Sequence, residues 1–275
     1  MKLNDIRRLQ NRPTAPPAAR ASHPFSDREH LIITYESKAA AIRAALPEPL
    51  QPDGSATVQF EFIRIPDSPF GEYTASRVVI PAKLRGEPVD FIAQTYLDDA
   101  PPIASGYEIW AAPARQAIPR LAVVHDRLTG TLCTTDACVA EGTMAYRQQH
   151  LLYNADGERI YDPGIVARRL AKTQVSLRMW SNADGLPATI QLVGCNLADI
   201  RIKGSWAGPA RLALAAHAEV PVADLPVCRV ISGLHFIADV VLPPERVLHD
   251  YLAEVDARML RRGQPCGEMA CAPAD

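Results

Sequence analysis

Few side chains in this chain have the chemistry to act on a small molecule. Arg28 and Arg115 each carry a planar, permanently charged guanidinium that can hold a carboxylate through two parallel hydrogen bonds. Glu61 can serve as general base or acid if an apolar setting raises its pKa. The plain structural alternatives are that Arg28 and Glu61 pair with each other and that Arg115 takes a subunit contact. Amine nucleophiles are confined to Lys2, Lys38, Lys83, Lys172 and Lys203, each expected in solvent because lysine is almost never fully buried. The six cysteines form no C-x-x-C pair and meet no histidine at zinc spacing. Thiols in a reducing compartment are therefore expected, with Cys133 and Cys138 as packing residues. Glu108 beside a turn is expected to bind backbone N–H groups, His235 to be a satisfied structural group, and Trp206 to pack in the core.

The elements that must position these groups read mainly as strands. At 275 residues the chain is long enough for one full core and is expected to be one domain. Lys+Arg 29 against Asp+Glu 31 leaves no broad basic field, so nucleic acid is not an expected partner. No apolar run is long enough to span a membrane and the N-terminus has no apolar signal core, which predicts a cytoplasmic protein with no membrane partner. The stretches HLIITYES, TVQFEFIRI, VDFIAQTYL, RLAVVHDRL, VSLRMW and TIQLVGCNLADIRIKGSW alternate or run apolar between Gly and Pro turns. They predict an antiparallel sheet curled into a barrel. Helices are expected over KAAAIRAAL, capped by Ser37, over ARLALAAHAEV, and from Pro244 onward with Val247, Leu248, Tyr251, Leu252, Val255 and Met259 on one face. Residues 1–24 read as a flexible arm, 25–262 as the domain and 263–275 as a disordered tail. No phosphate-binding glycine loop or metal-binding motif occurs, and no cofactor is expected.

Longer landmarks give the chain a relation. GYEIWAAPARQAIPRL at 106–121 keeps Gly106, Glu108, Pro113, Pro119, Arg120 and Leu121 of a G-R-E-x-x-x-x-P-K-K-x-x-x-P-K/R-L signature. In order along the chain stand F-S-D-R-E at 25–29, L-P-E-P-L at 46–50, V-Q-F-E at 58–61, G-E-Y-T at 71–74, L-T-G-T-L at 128–132, W-A-G-P-A-R at 206–211 and H-F-I-A-D-V-V-L-P at 235–243. In these motifs the chain resembles the acetoacetate decarboxylase superfamily. The resemblance implies an α+β, mostly antiparallel β fold, a cone or barrel with a few peripheral helices, a hydrophobic pocket and a homo-oligomer. It also implies that Arg28 meets the substrate carboxylate and that Glu61 is the pocket glutamate.

The same match empties two positions. The family's lysine pair, whose first member forms an imine with the keto substrate, falls on Ala114 and Arg115, and an acid of the family falls on Ala75. An amine must lose its proton to attack a ketone, and its iminium then accepts the electrons left by departing CO2. Ala114 can do neither, and the guanidinium of Arg115 stays protonated. The expected function is an enzyme acting on a small keto or enol carboxylic acid without an imine, by dehydration, isomerisation, cyclisation or hydrolysis. Glu61 and Arg115 are its expected catalytic groups. Arg28, Arg115, Ala75, Trp110 and Ala114 are the expected substrate-binding set. The other readings are a non-catalytic organic-acid-binding protein and a decarboxylase that uses another lysine.

Overall fold

The structure, a computed structural model, describes residues 22–68, 70–98, 114–181 and 187–253. Glu108, Trp110, all of the tail at 263–275 and most of the arm at 1–24 lie outside the described residues; within 22–24 the first strand has already begun. The chain runs β1 (His23–Glu36), α1 (Ala39–Ala45), β2 (Leu50–Pro52), β3 (Thr57–Ile65), β4 (Tyr73–Leu84), β5 (Glu87–Leu97), β6 (Arg115–Gln116), β7 (Ile118–Val124), β8 (Arg127–Cys133) and β9 (Cys138–Ala145). It continues through α2 (Pro163–Leu170), β10 (Thr173–Ser181), β11 (Pro187–Cys195), β12 (Ala198–Gly208), β13 (Ala210–Leu214), a 3-10 turn at Val222–Asp224, β14 (Arg229–Leu242) and β15 (Arg246–Asp250).

Eleven strands form one sheet in the order β12-β14-β1-β3-β4-β5-β10-β11-β15, with β2 on β4 and β6 on β5. Four more form a second sheet, β13-β9-β8-β7. The pairings are antiparallel except where β5 meets β10 and β6. This is the mostly antiparallel α+β architecture expected, and its central strands are the alternating runs read from the sequence.

Period-two alternation sorts the residues of β1, β3 and β4 onto two faces. One face carries Leu31, Ile33, Phe60, Phe62, Val78 and Ile80, which pack with Leu121, Leu128, Leu132 and Met144 of the smaller sheet. The other carries Ile32, Ile63, Ile65 and Ala75, which pack with Val166 and Leu170 of α2 and with Ala114 and Leu197. Glu61 and Arg77 fall in register with this second set, and Arg28 pairs with Ala238 of the same cluster.

Four expectations are corrected. ARLALAAHAEV, rich in helix formers, is strand over Ala210–Leu214, where its backbone pairs with β9 from Ala210↔Met144 to Leu214↔Ala140. Pro244 does not open a helix: Arg246–Asp250 pairs with β11, and Val247 sits opposite Val193; of the expected helical face Tyr251 and Leu252 lie in a helical turn at 251–253, and Val255 and Met259 lie outside the described residues. In both places an open sheet edge offers partners that outweigh local propensity. The first helix forms over Ala39–Ala45, but Lys38 is its N-cap and no side chain caps it; the hydroxyl of Ser37 is buried without a partner. Cys133 and Cys138, expected as thiols, face each other across the β8–β9 hairpin with Cα atoms 3.9 Å apart and are joined as a disulfide.

Candidate active site

A cavity of about 130 Å³ opens on the α2-side face of the large sheet. Its walls are mostly apolar, from Phe25, Ile63, Ile65, Ile92, Leu97 and Leu197. Its polar groups come from six segments: Arg28 from β1, Tyr73 and Arg77 from β4, Thr95 from β5, Gln174 and Ser176 from β10, Cys195 from the end of β11, and Glu245 from the link between β14 and β15. Ala75 and Ala114 complete the wall, each 4% exposed.

Arg28 is the distinctive group. It is 7% exposed, its Nε has no hydrogen-bond partner, and it makes no ion pair among the described residues. Burial, and next the neighbouring Arg77, push its pKa down to about 10, which leaves it charged at neutral pH. The Phe25 ring lies 5.4 Å from the guanidinium carbon, and Tyr73 and Glu61 favour the charged form from a distance without outweighing burial. A buried cation with no ion-pair partner is costly, and an anion placed against it would offset that cost.

Arg77 is held more firmly. Glu61 is its cross-strand partner on β3, with the carboxylate Oε2 3.4 Å from Nε, while Nη1 donates to Gln174 Oε1 at 3.1 Å. Two guanidinium nitrogens are thus fixed from behind, and the group keeps one orientation in the cavity wall. Behind this pair, Glu61 and Arg77 border a smaller polar space with Asp90, Arg169 and Gln174. Burial raises the Asp90 carboxyl above its ordinary range, and Lys172 opposes that shift from 3.7 Å.

Of the expected site residues, Arg28, Ala75 and Ala114 come together in the cavity and Glu61 stands behind it through Arg77. Glu61 and Arg28 do not pair with each other: the ion pair of Glu61 is with Arg77. Arg115 does not join the cavity. Neighbouring residues of an extended chain face opposite ways, so with Ala114 turned in, Arg115 turns out, where it is exposed and donates to the Glu219 carbonyl at 2.9 Å. It borders a separate open cleft with Arg64, Asp98 and Arg120. Trp110 lies outside the described residues.

The sequence reading missed Arg77 and Glu245. Arg77 had a signal, because it lies two residues beyond Ala75 on an alternating strand and must share its face. Glu245 had none: it follows Pro243 and Pro244 and enters the cavity only through the pairing of β14 with β1 and of β15 with β11. Its Oε2 is buried without a hydrogen-bond partner, and burial pushes its pKa up to about 8, with Arg178 the opposing influence.

No lysine lines the cavity among the described residues. Lys38 and Lys83 are exposed. Lys172 approaches Asp90, and Lys203 bonds to Asp27 at 2.7 Å and Asp239 at 2.8 Å, contacts that raise its pKa and hold its amine protonated. His235 is buried, with Nε2 2.9 Å from Glu29 and its ring stacked on Trp206 at 4.9 Å between centroids, but it is not fully satisfied as expected: its Nδ1 is buried without a hydrogen-bond partner.

Comparison with known proteins places this geometry. The model of the acetoacetate decarboxylase family matches residues 10–252. The chain is 41% identical over 241 residues to an acetoacetate decarboxylase of Acidiphilium cryptum, covering 87% of this chain and 94% of that one. It superposes on the crystal structure of the Legionella pneumophila acetoacetate decarboxylase with a TM-score of 0.78 and 37% identity, over 85% of this chain and 89% of that one. The enduracididine biosynthesis enzyme MppR shares the fold at 17% identity and a TM-score of 0.68, over 86% of this chain and 91% of that one.

Proposed function

The chain belongs to the acetoacetate decarboxylase family, and from that premise we propose that it is an enzyme acting on a small keto or enol carboxylic acid without a covalent imine. The observation that carries this reading is that a buried Arg28 with no ion-pair partner stands beside the anchored Arg77 in an apolar cavity where Ala75 and Ala114 stand and no lysine is found among the described residues. Two guanidiniums in a dry wall favour an anion strongly, because charge-assisted hydrogen bonds gain as water is excluded. The cavity volume suits an acid of a few carbons.

In this reading Arg28 holds the carboxylate. Arg77, oriented by Glu61 and Gln174, stabilises negative charge that develops on the keto oxygen. Glu61 therefore acts through Arg77, as a positioning residue, and Arg115 takes no part. The candidate reactions are isomerisation, dehydration and cyclisation, each begun by proton transfer next to a carbonyl, or else hydrolysis, in which water attacks.

Isothermal titration with a panel of small keto acids and dicarboxylic acids tests it. Binding is expected, and Arg28→Ala weakens it by about 1.5–3 kcal/mol, the usual worth of a hydrogen bond to a charged group. Equal binding by Arg28→Ala would show the acid site to be misplaced. An acid that binds but is never turned over would make the protein a carrier.

A further inference from the structure

We propose that Glu245 is the catalytic residue that carries the proton in this cavity, taking it from the carbon beside the substrate's keto group and returning it. The inference rests on the acid-binding reading above and assigns the step that reading leaves without a donor or acceptor. Glu61 cannot supply it, because it does not line the cavity and its carboxylate is spent on Arg77.

Glu245 is placed with little freedom. Pro243 and Pro244 fix their own backbone angles and bias the residues before them toward extended geometry. Immediately after, Arg246 pairs with Gly194 and bonds to Asn196 Oδ1 at 3.2 Å. The carboxyl group held between these anchors lines the same cavity as Arg28 and Arg77, and its Oε2 is buried with no hydrogen-bond partner. A buried carboxyl oxygen with nothing to bond is an exception among native polar groups. The residue that carries it lines the space a substrate would fill.

The other lining groups are poorly matched to the task. Burial raises the Cys195 thiol to about 11 and raises the Tyr73 phenol, while Arg28, at about 10, stays charged. Gln174 and Ser176 do not exchange protons near neutrality. The groups that act on Glu245 electrostatically are Arg178 on β10, which favours its charged form, and Cys195, whose thiol is disfavoured from ionising by it. Burial outweighs Arg178, and the carboxyl group titrates at about 8, close to the working range that suits general acid–base catalysis.

The step balances within the site. The Glu245 carboxylate takes a proton from the carbon adjacent to the ketone; the C–H electron pair becomes a carbon–carbon double bond, and the carbonyl π pair moves onto oxygen as an enolate beside the guanidiniums. The carboxylic acid form of Glu245 then returns a proton to carbon, or gives it to a departing hydroxyl as water.

Solvent-deuterium exchange reads this step directly. In deuterated buffer at neutral pH, 2-oxobutyrate with wild type is expected to lose its C3 methylene proton signal by NMR. Glu245→Gln should bind the acid within a few-fold of wild type by titration and exchange it about 100-fold or more slowly, the usual worth of a positioned base. Glu245→Asp, which keeps the carboxyl but withdraws it, should fall between the two. In wild type, with the acid held below saturation so that the free enzyme's titration is read, the rate should climb with pH and level off above about 8, the value burial gives Glu245; the Gln variant should lose that climb. Exchange by Glu245→Gln at the wild-type rate overturns the assignment, as does a wild type that binds the acid and never exchanges it. In both cases Arg28-dependent binding would leave the acid site standing. If Arg28→Ala binds as well as wild type, or nothing binds, the acid site itself has failed and this proposal with it.

Discussion

At residue 114 the difference between alanine and lysine separates two chemistries on one wall. Ala114 is buried in the cavity that also holds Arg28 and Arg77, so Ala114→Lys would set an amine among guanidiniums. Positive neighbours and desolvation both lower a lysine pKa, and the amine would be partly neutral near pH 7 and able to condense with a ketone. Borohydride reduction with acetoacetate should give no adduct on wild type and one on the variant, mapped to residue 114 by peptide mass. An adduct on a wild-type lysine would revive imine chemistry. The logic of this substitution was readable from the signature at 106–121, but its electrostatic setting was not. The sequence suggested Arg115 as the charged neighbour, whereas strand alternation sends Arg115 outward to Glu219 and brings in Arg77, whose partner Glu61 lies sixteen positions earlier in the chain.

The elements around the site depend on how closely the two sheets approach. Phe62 of β3 is fully buried and packs toward the smaller sheet at the paired glycines Gly130 and Gly142. A Cβ built on Gly130 would lie 2.2 Å from the Phe62 ring, and one on Gly142 would lie 2.5 Å from Ile33 Cδ1. Both contacts are far inside van der Waals distance. Gly130→Ala must therefore push β3 or β8 aside, and overpacking of this kind costs about 1–3 kcal/mol. Urea unfolding should show that loss as a lower midpoint with an unchanged slope; an unchanged midpoint would mean the sheets have slack. Since β3 also carries Glu61, such a shift should weaken acid binding too. Alternation in TVQFEFIRI made this strand legible from sequence alone. The strands Ala210–Leu214 and Arg246–Asp250 were illegible for the opposite reason. Their residues tolerate a helix, and what decides them is a neighbouring edge brought in from far along the chain.

For the whole molecule, the buried acids set how stability depends on pH. Glu29 is held below the usual carboxylate range by its bond to His235, so its contribution is present above its unfolded pKa and is lost as pH falls. Glu245 acts with the opposite sign. Its unfolded pKa is about 4.3 and its folded value about 8, so between them the native state holds a proton that the unfolded chain has released. Stability must then fall as pH rises across that window and stop falling once Glu245 is ionised in both states. Burial raises Asp90 in the same direction, so removing Glu245 alone reduces the decline without abolishing it. Urea midpoints at pH 5.5, 7 and 8.5 should therefore drop more for wild type than for Glu245→Gln, with the two profiles diverging toward alkaline pH. Parallel profiles would mean that the carboxyl group titrates as it does in solvent. A small keto acid bound at Arg28 should steepen the wild-type decline, because a substrate anion beside Glu245 holds it protonated to higher pH and the bound state then loses more as that proton leaves.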